Sequence, residues 1–320
     1  MTGERVTTPL LEAIAVHKRY GTRRAIDGIS LAVGAGEIVG LLGPNGAGKT
    51  TMLSMLATIL RPDAGRVVIH AAATPGARHA AIGLVPQSLA LYPRLSAIQN
   101  VWHFGRMQGL SRREARVACA LVLAEVGLLE RAHDAAQSLS GGMQRRLNLA
   151  CGLVHRPRVL LLDEPTVGVD LESREQLLAQ VRRARAAGAA VVYSTHYMEE
   201  AERICDRVCL VDRGRLVAAG TVEELIVRAG GRTRVDLTYR GSLPEGWDRG
   251  MSGHGIRLLP AGLGNGRLSL EMPSHAEIGG VLEGVRAAGA RVLDFSLHTA
   301  NLADAFVALT GRPLQDSAGG

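Results

Sequence analysis

Gly43-Pro-Asn-Gly-Ala-Gly-Lys-Thr50 decides how this chain is read. The eight residues fit the pattern G-x-x-x-x-G-K-[ST], and the flanks supply the context that pattern needs. Ahead of it, Glu37-Ile-Val-Gly-Leu-Leu42 reads as a buried strand. Behind it, Thr50 to Leu60 sets Leu53, Leu56, Ala57 and Leu60 on one helical face. The glycines let the backbone curl so that successive N–H groups face one phosphate. The helix start adds a dipole that favours an anion. Lys49 is expected to reach the β- and γ-phosphates of a nucleotide, and Thr50 to offer its hydroxyl to Mg²⁺. Gly43, Pro44, Asn45, Gly46, Ala47, Gly48, Lys49, Thr50 and the following Thr51 form the expected cradle. Of 37 Lys and Arg residues only Lys18 and Lys49 are lysine. A chain so biased towards arginine still places a compact point charge here, where the loop needs one.

Further along, Arg158-Val-Leu-Leu-Leu-Asp163-Glu164-Pro165 is an apolar strand ending in two carboxylates. Asp163 is expected to hold Mg²⁺, directly or through water, and Glu164 to polarise an attacking water as general base. Arg158 to Leu162 and Ala189 to Ser194 are continuous apolar runs, as expected of parallel strands covered on both faces. Arg61-Pro62-Asp63-Ala64-Gly65 stops the first helix, and Arg66 to His70 begins another strand. Residues 96–152 read as mostly helical, Ala115 to Val126 most clearly. Strands separated by helices point to an α/β fold with a mainly parallel sheet.

The pattern changes at Ala229-Gly-Gly231. Val235, Leu237 and Tyr239 alternate as in a half-buried strand; Arg267 to Glu271 and Arg291 to Leu297 look similar. Ala276 to Ala288 and Ala300 to Leu309 look helical, and Gly241 to Gly266 looks like a glycine-rich loop. The expected organisation is a nucleotide-binding domain over 1–228, with a helical subdomain at about 88–155. A small α+β accessory domain over 229–320 would follow it.

The 320 residues are 47% hydrophobic and 21% charged, ordinary for a folded chain and unlike a disordered one. Aromatics are 3%, too few for a protein that stacks many bases of single-stranded nucleic acid, and no nucleic-acid partner is expected. The most apolar run, Leu31 to Leu42, is broken by Glu37 and is too short to span a membrane. Met1 to Arg5 lacks the layout of a signal peptide, so folding in the cytoplasm is expected. Cys119, Cys151, Cys205 and Cys209 are irregularly spaced and suggest neither disulfides nor a zinc site. The net charge of +7 lies in the first 220 residues, which carry 27 basic and 19 acidic side chains. That balance suits a polyanion such as a nucleotide or an anionic membrane surface.

Leu139-Ser-Gly-Gly-Met-Gln-Arg-Arg146 stands shortly before the second strand motif. With it, residues of about 10–225 resemble the ATP-binding subunits of ABC transporters, whose signature is L-S-G-G-Q or a close variant. The resemblance implies a P-loop NTPase fold with ATP and Mg²⁺ as cofactors. It implies that Tyr20 stacks on adenine and that Gln87, in Val-Pro-Gln-Ser, senses Mg²⁺ and faces the membrane partner. It implies that His196, in Ser-Thr-His-Tyr, contacts the γ-phosphate, and that Val169-Asp170 is the loop after the second motif. Ser140, Gly141 and Gly142 would cap a helix and, in the family, meet the γ-phosphate held by the opposite subunit. Met143 stands where Gln is commonest in the family and Val169 where Leu is. The tail, Asn301 to Arg312, looks like the end of the extension on type-2, drug-resistance-like exporter subunits.

The implied protein hydrolyses ATP and closes as a homodimer with two ATPs at the interface. It drives a separately encoded transmembrane permease from the cytoplasmic face of the membrane. Two rivals stay open. A DNA-repair ATPase of this class would need a long coiled coil between Lys49 and Ser140, where only about 90 residues lie, and a translation factor would carry two cassettes. An importer ATPase differs mainly in its partner and in carrying a regulatory β-barrel.

Overall fold

A computed structural model describes residues 8–72, 74, 78–244, 247, 256–259, 266–272 and 278–312. They fall into two compact units, one ending at Val222 and one beginning at Glu223.

The first unit is built on six strands in the order β5-β6-β7-β3-β8-β9. These are β3 (Ile38–Leu42), β5 (Ile82–Val85), β6 (Val159–Asp163), β7 (Ala190–Thr195), β8 (Arg207–Asp212) and β9 (Arg215–Gly220). All neighbours pair parallel except β8 with β9. Strand alternation explains the apolar runs, because each face of the sheet buries every second residue. Val39, Leu41, Val159, Leu161 and Val192 pack with Met52, Leu53 and Leu56 of α1 (Lys49–Leu56). Ile38, Leu160, Leu162, Val191 and Tyr193 pack instead with Leu177, Leu178 and Val181 of α6 (Leu171–Ala186).

A three-stranded antiparallel sheet, β2-β1-β4, shares the α1-side core through Leu11, Val16, Ile26 and Ile29. Its strands are β1 (Leu11–Tyr20), β2 (Arg23–Val33) and β4 (Ala64–Ile69). The sequence pattern predicts no strand before Glu37, because β1 is half-buried and its pairing with β2 shifts register three times. Two further boundaries differ. The first helix ends at Leu56 rather than Leu60, since Thr58 takes a left-handed φ of 59° and Ile59 turns out to solvent. The next strand begins at Ala64, so the breaker residues Ala64 and Gly65 already belong to it, and Ala64 pairs with His17 of β1.

A short α2 (Arg78–Ala81) precedes β5, and between β5 and β6 lie α3 (Ala97–Met107), α4 (Arg112–Glu125) and α5 (Gly141–Leu153). Ser96 with Gln99 and Ser111 with Glu114 form capping boxes at the starts of α3 and α4. The three longer helices bury Val101, Cys119, Val122, Leu123, Leu147 and Ala150 in a cluster of their own.

The second unit begins within α8 (Val222–Arg228) and holds an antiparallel sheet in the order β11-β12-β10-β13. Its strands are β10 (Thr233–Arg240), β11 (Arg257–Leu258), β12 (Arg267–Met272) and β13 (Arg291–His298). Val235, Leu237, Leu268 and Leu270 pack against Val281 and Val285 of α9 (Ile278–Ala287). A last helix, α10 (Leu302–Thr310), starts with a capping box of Asn301 and Asp304. Most of the glycine-rich stretch 241–266 and the first two residues of the helix expected at Ala276 lie outside the described residues. Arg257 and Leu258 form a short strand within that stretch.

No helix among the described residues is long and apolar enough to cross a membrane. All four cysteines are free. Burial pushes the Cys119 and Cys209 thiols up to about 11, and the Cys151 thiol higher still. The thiolate is the reactive form, so at pH 8 Cys119 and Cys209 hold roughly a hundredfold less of it than an ordinary thiol, and Cys151 less again. We expect each to react with an aromatic disulfide reagent at least about 100-fold more slowly in the folded chain than after denaturation. Mass-resolved labelling at pH 8 checks this, and rapid labelling of any of the three would contradict the packing described.

Candidate functional site

The loop from Gly43 to Gly48 joins the C-terminal end of β3 to α1. Its glycines are required by space. A Cβ on Gly43 would lie 2.1 Å from the Val211 carbonyl oxygen, and one on Gly48 2.6 Å from that of Ala25. Gly48 also takes φ 110°, which side chains rarely adopt. The backbone therefore turns back on itself, and Lys49, the first residue of α1, is buried with its Nζ aimed into the loop. That nitrogen donates to the carbonyls of Gly43 at 2.8 Å and Pro44 at 3.3 Å.

Asp163 ends β6 and Glu164 follows it. Glu164 is buried and takes a left-handed φ of 45°, costly for a residue with a side chain and frequent at functional sites. Ser194, on the neighbouring β7, fixes the Asp163 carboxylate and the Glu164 backbone. Its hydroxyl donates to Asp163 Oδ1 at 2.6 Å, and its carbonyl and hydroxyl oxygens each lie 3.1 Å from the Glu164 N–H.

Three side chains converge on the Glu164 carboxylate. Lys49 Nζ lies 3.0 Å from Oε1. Gln87 Nε2 donates to Oε2 at 3.3 Å, and His196 Nδ1 stands 3.3 Å from the same oxygen without hydrogen-bond alignment. The His196 ring leans on Tyr197 with centroids 4.2 Å apart, and the Arg174 guanidinium lies 5.6 Å over the Tyr197 ring.

Lys49, Gln87 and Glu164 border a cavity of about 560 Å³ lined also by Tyr20, Asn45, Gly46, Gly48, Thr50 and Thr51. Its size lies in the ordinary range for a small-molecule site. Arg23 and Ala25 line it too and were not legible in the sequence, since neither belongs to a motif. The Arg23 guanidinium donates to the Gly46 carbonyl at 3.0 Å. Tyr20 is half exposed, so its ring is not part of the core but stands at the cavity mouth. The donor set fits a nucleotide: curled backbone amides, a buried ammonium, an open aromatic face and no carboxylate within the loop. Among the described residues no group of three or more His, Cys, Asp or Glu could hold a metal. A hydroxyl, a single carboxylate and phosphate oxygens are the set Mg²⁺ accepts at such sites.

Nine expected residues do not line this cavity. Gly43, Pro44, Ala47, Asp163 and His196 stand next to residues that do, in the same loop, strand end or carboxylate contact. Ser140, Gly141, Gly142 and Asp170 meet each other instead. Ser140 caps α5, its hydroxyl accepting from the Met143 N–H at 3.3 Å, and Asp170 caps α6, accepting from the Ser173 N–H at 2.9 Å. A Cβ on Gly142 would fall 2.3 Å from Ser173 Oγ and 2.9 Å from Asp170 Oδ2, whereas one on Gly141 would meet nothing within 4 Å. The two helix starts are pressed together and α5 presents an open N-terminus.

A family model described as "ABC transporter" matches residues 26–167. The linearmycin resistance ATP-binding protein of Bacillus subtilis is 37% identical over 96% of this chain and 100% of its own length. A Nod factor export ATP-binding protein I from Burkholderia lata is 41% identical over 94% of this chain and 97% of its own. An ATP-binding cassette solved as a dimer in a post-hydrolysis state with ADP and Pi is 25% identical. Its TM-score is 0.59, with 66% of this chain and 98% of that one covered.

The buried Lys49–Glu164 pair sets a stability test, because removing one partner leaves the other charge buried without a counter-charge. Lys49→Met should cost about 3 kcal/mol, the low end for a buried pair, since the Gln87 amide still reaches Glu164. Glu164→Gln should cost less than half as much, because Lys49 keeps two carbonyls. Urea unfolding without nucleotide measures both, and the reverse order would contradict the pairing.

Proposed function

The chain belongs to the ABC transporter family as an ATP-binding, ATP-hydrolysing subunit, and from that membership we propose that it powers an exporter by nucleotide-driven closure of a homodimer. Its membrane partner would be a separately encoded permease, and its place the cytoplasmic face of the membrane, bound peripherally. The observation that carries the reading is the convergence of Lys49, Gln87 and His196 on Glu164 at the wall of one cavity.

The chemistry follows from these positions. The backbone amides from Gly43 to Thr51 and the Lys49 ammonium hold the phosphates of ATP, and the Tyr20 ring offers its face to the purine. Glu164 takes the proton of a water that attacks the γ-phosphorus. The bond to the bridging oxygen breaks, and ADP and phosphate leave. His196 and Gln87 hold that carboxylate and water in line. Thr50, Asp163 and Gln87 would hold Mg²⁺, which supplies neutralising charge at the phosphate oxygens.

Half of the site is offered to another chain. Ser140, Gly141 and Gly142 form an open helix N-terminus away from their own cavity, a suitable place for the γ-phosphate bound by a second copy. The dimeric form of a structurally similar cassette supports this arrangement. Asp170, beside Gly142, would sit at the same boundary. Permease docking is supported by Leu89, Tyr92, Trp102 and Met107, large apolar side chains exposed on the segment after Gln87 and on α3. The names of the resistance and Nod factor export relatives favour export over import. So does the second unit, whose described strands form an open sheet backed by α9 instead of a barrel. We place the accessory domain at 229–320, as the sequence pattern suggests.

Glu164→Gln keeps the shape of the side chain and removes the base. ATP should still bind while turnover falls by roughly 10² or more, as general-base loss typically gives. ATP should then hold the chain as a dimer, seen by light scattering. Steady-state hydrolysis at the wild-type rate would remove Glu164 from the role assigned to it.

A further inference from the structure

The helix that starts at Ser140 also grips the loop that carries Gln87. Asn148, two turns into α5, is almost fully buried. Its Nδ2 donates to the Pro86 carbonyl at 3.3 Å, and its Oδ1 accepts from the Ala90 N–H at 3.1 Å. The two bonds straddle Gln87. Arg145, one turn earlier on the same face, donates to the Gln87 carbonyl itself.

The loop needs such help. Residues 86–92 form no helix or strand, so their backbone groups have no ladder partners. Asn is a poor choice for a helix interior, and burying its amide costs free energy unless both ends are satisfied. Here both are spent on one loop, while the adjacent Leu147, Leu149 and Ala150 are apolar and buried. A second buried asparagine does the same at the far end: Asn100 accepts from the Tyr92 N–H at 2.8 Å and donates to the Tyr92 carbonyl at 3.1 Å. The loop is therefore a strap pinned at each end. Between the pins, the Gln87 side chain reaches Glu164 at 3.3 Å.

We propose that Asn148, supported by Arg145, is a positioning residue for ATP hydrolysis. It fixes Gln87 against Glu164 and makes α5 a rigid link between two half-sites. One end of the helix faces the nucleotide of a second chain; two turns on, it sets the hydrolytic carboxylate of its own chain. Asn148 touches no nucleotide. Its effect runs through the Gln87 backbone, so it governs the hydrolytic step and leaves the phosphate loop alone. The inference rests on the proposed roles of Glu164 and Gln87.

The test uses the full chain and two variants, Asn148→Ala and Arg145→Met, with Glu164→Gln alongside. Three quantities are read: hydrogen exchange across 86–92, kcat for ATP, and affinity for a fluorescent ATP analogue. In Asn148→Ala, exchange at Ala90 should quicken at least about tenfold and kcat should fall about tenfold, with affinity kept within about twofold. Arg145→Met should lower kcat about threefold without disturbing the core, and it carries the test alone if Asn148→Ala folds poorly. A kcat within twofold of wild type in the folded variants would overturn the proposal. So would an affinity falling in parallel with kcat, because that marks a general loss of structure. If Glu164→Gln abolishes turnover while Asn148→Ala and Arg145→Met leave it intact, only the clamp fails. If Glu164→Gln still turns over, the role of Glu164 fails, and exchange at Ala90 still decides whether Asn148 holds the strap.

Discussion

The Glu164 carboxylate is the point on which the rest of the site depends. It is buried on a left-handed backbone, held there by Ser194 from the next strand and faced by Lys49, Gln87 and His196. Each contact reports on a different part of the chain: the phosphate loop, the strap before α3, and the end of β7. A carboxylate in such a place is tolerable only while its partners stay in register. The parallel order β6-β7-β3 supplies that register, bringing Asp163 opposite Ser194 and Leu42 opposite Thr195. The sheet thus aligns residues that lie more than a hundred positions apart.

Much of this could be read from the residues. The phosphate loop is local, and its spacing carries its geometry. The central strands are buried on both faces, so they stand out as unbroken apolar runs. Ser140 and Asp170 sit at helix starts, where their residue types belong. Most of the illegible parts are decided by contacts distant in sequence, and one by a local turn. β1 and β2 are half-buried and irregular, and they gain their structure from α1 beneath them. Leu60 carries helical spacing, yet the chain has already turned at Thr58. Asn148 has the period of a buried position, but only the fold reveals that its amide serves Pro86 and Ala90. Ser194 holds the Asp163 carboxylate and the Glu164 backbone and belongs to no pattern that names it.

The residues also divide by destination. Tyr20, Lys49, Thr50, Gln87 and Glu164 border one cavity, whereas Ser140, Gly141, Gly142 and Asp170 gather at the paired starts of α5 and α6. In the proposed reading, an isolated chain holds the phosphate-binding half of one site and the open helix end of another. That division favours an enzyme whose two sites form together, with hydrolysis tied to closure of the dimer.

The shared site is the central claim, and mixing two defective chains tests it most directly. Lys49→Ala removes the ammonium from one half-site. Ser140→Arg blocks the other with bulk, where alanine would leave the glycine amides competent. Neither variant can build an intact site with itself. A mixed pair can build one, from the Lys49 of one chain and the Ser140 of the other. With Mg-ATP, differently tagged variants should therefore form heterodimers detectable by cross-linking, while neither dimerises alone. No heterodimer, under conditions where wild-type chains do dimerise, would contradict the account.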